Sequence, residues 1–417
     1  MADLVPVIAV NSVQAVALAA LSVLLGSAAK RRLPVLDRLN VPGPIVGGLG
    51  AAALIFALHD RAVNLQIDLS LRDLLQNAFF TTIGLGASLR LFRIGGPQVV
   101  SFFAIAAVGA VLQNLLGIGL ARGLGLDPLL GIVTGSVALT GGPATAAAFG
   151  KRFEEVYGVS GAAELGIAAA MFGITMGGLL GGLVGGRLIE KHGLRSTARN
   201  GRDLGDLSAL QADVAAREQA SADSPEAKTP WLINTLVWIS LCMGLGSLIS
   251  AWIKAQGVDL PSYIGAMIAA AAVRNLDDRW RIAGLSEERV EMVGDAALAL
   301  FIAMAMLSLQ LWRLVELAVP LMILLGAQLA LVWAMCVWLA FRAMGRDYES
   351  AVMAGGFCGF MLGTTANAMA CMTVLTQKYG PAPRAFLVVP LVGASLIDFA
   401  NAVLIHEMAA GVRALGW

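Results

Sequence analysis

Apolar residues in this chain run in long unbroken blocks and do not alternate with polar ones. Blocks near 5–29, 42–59, 74–91, 97–121 and 162–189 are followed by others near 231–253, 260–275, 290–311, 314–341 and 385–405. A helix needs about 20 apolar residues to cross about 30 Å of hydrocarbon, so each block predicts a membrane-spanning helix. A polar, alanine-rich interval at 190–229 separates two sets of five. It reads as a flexible connector, although Leu204, Leu207, Leu210 and Val214 would suit a short amphipathic helix. The division expected is therefore 1–189, a linker at 190–229, and 230–417. Two further apolar stretches, 129–149 and 350–373, are interrupted by glycine, proline and threonine and do not read as ordinary spans.

Composition supports a lipid-embedded, all-α chain. It is 58% apolar and 14% charged, with 48 glycines and a mean hydropathy of +0.77. Soluble domains average about 45–50% apolar and about 25% charged. A net charge of +1 without a basic, aromatic-studded block argues against a nucleic-acid partner. Cys242, Cys336, Cys358 and Cys371 lie in apolar stretches without a Cys-x-x-Cys pair, and read as buried small hydrophobes. His59, His192 and His406 fall at segment ends or in the polar loop, which disfavours a buried histidine proton relay. The first block precedes Lys30, Arg31 and Arg32, the reverse of a signal peptide's order, so it is expected to stay as a span.

Orientation follows from the loops. With the N-terminus outside, most lysines and arginines, including Lys30, Arg31, Arg32, Arg38 and those of the 190–229 loop, fall inside. Both termini are then expected outside and the central loop inside.

The halves also resemble each other. Gly125-Leu-Asp127 matches Gly345-Arg-Asp347, Gly135 matches Gly355, and Thr145 matches Thr365, all at one offset. Tyr157-Gly158 and Tyr379-Gly380 follow in the same order, and Pro44-Ile-Val-Gly47 has a looser partner in Pro261-Ser-Tyr-Ile-Gly265. Because each half has an odd number of spans, the second must be inserted upside down. Inverted repeats let two equivalent halves expose a central site to either side in turn, a plan of secondary transporters.

The interrupted stretches carry the chemistry. Thr140, Gly141, Gly142 and Pro143 would break a helix at mid-segment, as would Gly355, Gly356, Gly359, Gly363, Thr364, Thr365 and Asn367 in the second. Broken backbone survives at membrane depth only inside protein or against a wet cavity. Each stretch is therefore expected to be a re-entrant hairpin, the first entering from outside and the second from inside. The N-terminus of a half-helix, aided by threonine and asparagine side chains, can bind a carboxylate without a fixed cation. The blander reading is that these glycines only permit tight helix packing.

Few ionisable residues sit at membrane depth: Glu164, Asp295 and Asp398. Each needs a partner, a proton or an ion. Asp398 and Asn401 share a helix face and offer the hard oxygen ligands that suit sodium, or else a structural hydrogen bond. Glu164, a further sodium candidate, and Asp295 lie nearer segment starts, with a helix-end charge as the alternative for each. Gln113, Asn114 and Gln328 read as glue between helices.

The stretch Leu71-Arg-Asp-Leu-Leu-Gln-Asn-Ala-Phe-Phe-Thr-Thr-Ile-Gly84 resembles the bacterial sodium/glutamate symporter family. So do Leu112-Gln-Asn114, Gly125-Leu-Asp-Pro128 and Phe386-Leu-Val-Val-Pro390 through Asp398, over about 40–185 and 230–405. The resemblance implies sodium-coupled uptake of L-glutamate across the bacterial inner membrane by a multi-pass homodimer with an elevator-like motion, embedded in lipid. It implies sodium as the coupling ion and no other cofactor. Substrate would sit between the hairpin tips, near Thr140, Gly141, Gly142, Thr145, Gly359, Thr364, Thr365 and Asn367, with sodium at Asp398, Asn401 and Glu164. The family's first tip typically reads Ser-Gly-Gly-His-Gly-Thr, where this chain has Thr140-Gly-Gly-Pro-Ala-Thr145. Its second commonly has Gly and Thr-Pro where Met361 and Thr365-Ala366 stand. Another dicarboxylate or amino acid, driven by sodium or protons, is the alternative cargo. An intramembrane enzyme finds no His/Glu metal motif and no Gly-x-Ser-x-Gly elbow here.

Overall fold

The computed structural model of the chain describes residues 5–33, 36, 42–59, 61–196, 231–255, 262–280, 282–309 and 312–416. The Leu204–Val214 spacing, Arg38 and Pro261 lie outside these residues. Nearly all of the described chain is helical. The one departure is at the start: Val7–Val10 (β1) and Asn64–Ile67 (β2) form a two-stranded parallel ribbon, Val7 opposite Asn64 and Val10 opposite Ile67. The first span therefore begins later than the hydropathy suggests. Asn11 ends the strand: its side chain accepts from the Gln14 N–H while Gln14 returns a bond to the Asn11 N–H, a capping box that starts α1 (Ser12–Arg32). β-branched Val7, Ile8 and Val10 suit the strand, and Lys30, Arg31 and Arg32 complement the negative end of the helix.

The first half continues as α2 (Gly43–Leu58), α3 (Ser70–Gly86) and α4 (Leu89–Gly123), which bends at Gly96-Pro97 where Gly96 takes φ 60°. Next come α5, running Pro128–Ile132 and on through a π-helical turn at Val133–Val137, then α6 (Gly142–Tyr157) and α7 (Ala162–His192). The second half runs through α8 (Trp231–Ala255), α9 (Ser262–Trp280), α10 (Glu287–Leu307) and α11 (Trp312–Met335). Then follow α12 (Tyr348–Met361), α13 (Thr365–Tyr379), α14 (Pro383–Leu391) and, after a π-helical turn at Val392–Leu396, α15 (Ile397–Ala414). Both interrupted stretches are thus helix pairs, broken at 138–141 and 362–364. Among the described residues, 6 helices are long and apolar enough to cross a membrane, and the chain is a multi-pass membrane protein.

Packing does not follow the division of the chain. One body gathers α1, α2 and α3 from the first half with α8, α9 and α10 from the second; the other gathers α4 through α7 with α11 through α15. Contacts are dense within each body and sparse between them. The strap between α3 and α4 crosses from one to the other. It is held where Asn275 Nδ2 donates to the Ala87 carbonyl at 3.0 Å and the Leu89 N–H donates to Asn275 Oδ1 at 2.8 Å.

Glycine sets how closely the second body packs. Gly173, Gly177, Gly181 and Gly185, four residues apart, form one stripe of α7 against α12 and α13. A Cβ on Gly181 would stand 2.6 Å from the Gly355 carbonyl oxygen, so only small residues allow the two backbones to meet. All four cysteines are buried and unbridged.

Candidate substrate and ion site

Each broken pair begins with an aspartate that caps its first helix. Asp127 accepts from the Leu129 N–H at 2.9 Å, with Pro128 preset for the first turn. Asp347 accepts from the Ser350 N–H at 2.8 Å. An arginine holds each cap: Arg413 lies 2.8 Å from Asp127 and Arg384 lies 2.6 Å from Asp347. Burial pushes the Asp347 carboxyl up, but the Ser350 bonds and the Arg384 guanidinium outweigh it and hold the group below its ordinary value.

In the first pair the backbone leaves helical geometry at Gly135 (φ −93°, ψ −125°) and restarts at Gly142. Gly142 takes φ 67°, a left-handed conformation that a side chain would strain. Pro143 follows, at a position where no helical hydrogen bond needs its N–H. In the second pair Thr364 is extended, and its hydroxyl accepts from the Asn367 N–H at 3.4 Å to cap α13. The two tips meet: a Cβ on Gly142 would lie 3.4 Å from the Gly363 carbonyl oxygen.

Below the tips lies a cavity of about 520 Å³ between the two bodies. Thr140, Gly141, Thr364, Thr365 and Asp398 line one wall. The facing wall is α3 and α10, with Thr82, Glu291 and Asp295. The cavity extends to the end of the bundle where α3 stops and α2 and α10 begin, past Gly86, Pro44 and Glu287. Its volume and mixed lining suit a small polar solute.

The candidates read from the sequence separate into three groups. Thr140, Gly141, Thr364, Thr365 and Asp398 reach the cavity, and Gly142 lies at the contact of the tips. Thr145, Gly359 and Asn367 stand behind it. A Cβ on Gly141 would come 2.6 Å from the Thr145 side chain, one on Gly359 would come 2.9 Å from the Asn367 backbone, and Asn367 Nδ2 donates to the Ile174 carbonyl at 2.7 Å. Asn401, one turn beyond Asp398, is buried and its Nδ2 donates to the Ser136 carbonyl at 3.0 Å. Glu164 is elsewhere, in a smaller cavity of about 140 Å³ with Arg72, Lys151 and Glu154.

Behind the tips a buried polar network ties the elements together. The Thr140 hydroxyl donates to Gln113 Oε1 at 2.6 Å, and Gln113 Nε2 donates to the Met361 carbonyl at 2.9 Å. Gln328 Nε2 donates to the Gln113 carbonyl at 2.7 Å, and Asn114 Oδ1 accepts from the Ser136 N–H at 2.9 Å. Gln113 and Gln328 thus bond across helices, as expected of polar side chains placed in apolar spans. Asp295, one of the three ionisable residues expected at membrane depth, faces the cavity, whereas Glu291 and Thr82 were not among the candidates read from the sequence. The available signal was the recurrence of Glu287, Glu291 and Asp295 every four residues, one stripe at the start of a helix that is apolar beyond Asp295.

A multi-pass helical protein with paired broken helices around a solute-sized cavity defines the class of membrane carriers. Within it the chain belongs to the sodium/glutamate symporter family, whose model matches residues 8–381. It is 38% identical over 391 residues to the sodium/glutamate symporter of Escherichia coli (strain K12), covering 93% of this chain and 94% of that protein. It is 34% identical over 406 residues to the sodium/glutamate symporter of Haemophilus influenzae, covering 97% and 98%.

Proposed function

We propose that this chain is a sodium-coupled secondary transporter that imports L-glutamate by alternating access, with sodium as coupling ion and no other cofactor. The observation that carries this reading is the convergence of both broken helix pairs and Asp398 on one cavity in a member of this family. A substrate carboxylate would lie at the N-terminal turn of α6, whose N-cap Gly141 offers no side chain to its N–H groups, beside the hydroxyls of Thr140, Thr364 and Thr365. Sodium would take Asp398 and carbonyls of the tips, with Asn401 behind. Glu164, in its separate cavity, would act at a distance from this ion set.

The near-equal element series of the two halves supports two inverted repeats of five spans, each with a re-entrant hairpin. In this reading the protein is a homodimer of the bacterial inner membrane, with both termini periplasmic and the 190–229 loop cytoplasmic. The body holding both tips would then slide against the other, elevator fashion, because few contacts join them. Coupling needs sodium to favour the substrate-competent conformation; tight binding to both conformations would shift nothing.

Uptake of labelled L-glutamate into proteoliposomes, with and without an inward sodium gradient, tests the proposal. Sodium-dependent accumulation is expected. Accumulation driven by a proton gradient alone, or uptake of another dicarboxylate in preference to glutamate, would favour the alternative cargo that Pro143 and Ala144 in the first tip suggest.

A further inference from the structure

We infer that α4, the break in the first helix pair and α15 enclose a second sodium site, set behind the Asp398 cavity and built from Ser136 Oγ, Asn401 Oδ1 and Asn114 Oδ1. The inference rests on the sodium-symport reading above and adds an ion position to it. Asn114 and Ser136 have no exposed surface, and Asn401 is 1% exposed. Two bonds lock them together: Asn401 Nδ2 donates to the Ser136 carbonyl at 3.0 Å, and the Ser136 N–H donates to Asn114 Oδ1 at 2.9 Å. Those bonds leave Ser136 Oγ and Asn401 Oδ1 buried without a hydrogen-bond partner. A buried unpaired polar atom costs about 1–3 kcal/mol, so two on residues already bonded to each other call for a ligand. All the atoms in question are oxygens, the hard ligands that alkali and alkaline-earth cations prefer.

Two further features favour a cation. Gly135 lies at the break, where a Cβ would stand 2.8 Å from Asn114 Oδ1 and 3.0 Å from the Gln113 carbonyl oxygen, so glycine keeps this space clear. The break also ends the half-helix Pro128–Val137, whose C-terminal carbonyls carry partial negative charge, and Asp398 lies one turn from Asn401. The Ser136 carbonyl, moreover, accepts from the Gly141 N–H at 2.8 Å as well as from Asn401. An ion drawing Asn401 and Ser136 together would therefore set the position of Gly141, a residue of the substrate cavity. Sodium bound here would order the tip before substrate arrives.

Ser136→Ala is the clean test, because a hydroxyl without a partner has no structural bond to lose. Thermal unfolding of the purified protein would be followed in sodium and in choline at equal ionic strength, alongside sodium titration of uptake. In choline the variant is expected to unfold at or above the wild-type temperature. In sodium it should lose most of the wild-type's gain, and half-maximal uptake should need about tenfold more sodium, equivalent to about 1.4 kcal/mol. Ser136→Cys, nearly isosteric but with sulfur for oxygen, should show the same loss. If wild-type uptake follows sodium while both variants keep its sodium curve, this site falls and the symport reading stands. Lower stability of both variants in choline and sodium alike would make Ser136 structural and also overturn the site. Wild-type uptake indifferent to sodium would overturn both readings.

Discussion

The hydroxyl of Thr140, at the tip of the first broken pair, donates to Gln113 Oε1 at 2.6 Å, while the same side chain's Nε2 holds the Met361 carbonyl at the end of α12. One glutamine thus fixes the distance between the two tips. Gln113→Leu would leave the buried Thr140 hydroxyl and the Met361 carbonyl without this partner, at about 1–3 kcal/mol. We expect a lower unfolding temperature in detergent and weakened substrate affinity. Gln113→Glu, which keeps an acceptor for Thr140, should retain more of both. Wild-type stability and affinity in Gln113→Leu would show that the tips do not depend on this bridge.

The glycine stripe of α7 gives a paired prediction. A Cβ on Gly181 meets the Gly355 carbonyl oxygen at 2.6 Å, and backbone cannot swing aside, whereas a Cβ on Gly182 meets nothing within 4 Å. Gly181→Ala should destabilise by about 1–3 kcal/mol through overpacking. Gly182→Ala should be neutral or stabilise by up to about 1 kcal/mol, the helix propensity of alanine over glycine. Thermal unfolding of the two single variants decides the matter; equal behaviour would mean that α7 and α12 are not in backbone contact.

Acid should weaken the second helix pair at its start. Asp347 is held below its ordinary value in the folded protein, so its ionised form stabilises the fold above about pH 4, the range of a free aspartate. That contribution is lost as pH falls through the lowered folded value. Asp347→Asn keeps a capping side chain but loses the Arg384 ion pair, which is partly exposed, so the cost should be below about 1 kcal/mol. The gap in unfolding temperature between wild type and variant should be present at neutral pH and close below roughly pH 4. A gap that widened in acid would contradict this assignment.

Asp398 is the carboxylate on the cavity wall that bears the tips. Asp398→Asn should raise the sodium needed for half-maximal uptake by about tenfold or more, about 1.4 kcal/mol per decade, with little change in unfolding temperature measured without sodium. Unchanged sodium activation with normal transport would remove Asp398 from the ion site.

Much of the architecture was legible in the amino-acid sequence, because a membrane constrains the chain locally. Backbone in lipid must satisfy its own hydrogen bonds, so apolar blocks of sufficient length become helices. Gly141-Gly142-Pro143 and Gly363-Thr364 mark breaks because glycine and proline act on their own stretch of backbone, whatever surrounds it. Asp127 and Asp347, read from the sequence only as matching positions of the two halves, cap their helices through bonds that are local in the same sense. The short ribbon at Val7–Val10 was not legible, since it depends on a partner strand more than fifty residues away.

What tertiary structure alone decided is which side chains share a space. Thr145, Gly359 and Asn367 belong to the broken segments by sequence, yet they serve the packing of the tips, while Asp295 and Glu291 arrive on the facing wall from a distant helix. Glu164 was parted from Asp398 because it opens α7 beside Lys151 and Glu154 toward the end of α6, whereas the larger cavity lies at the start of that helix. Ser136 and Asn401, 265 positions apart, become neighbours only when helices from the two halves interleave in one body. Such proximities depend on the packing of whole helices, which hydropathy and local propensity do not encode.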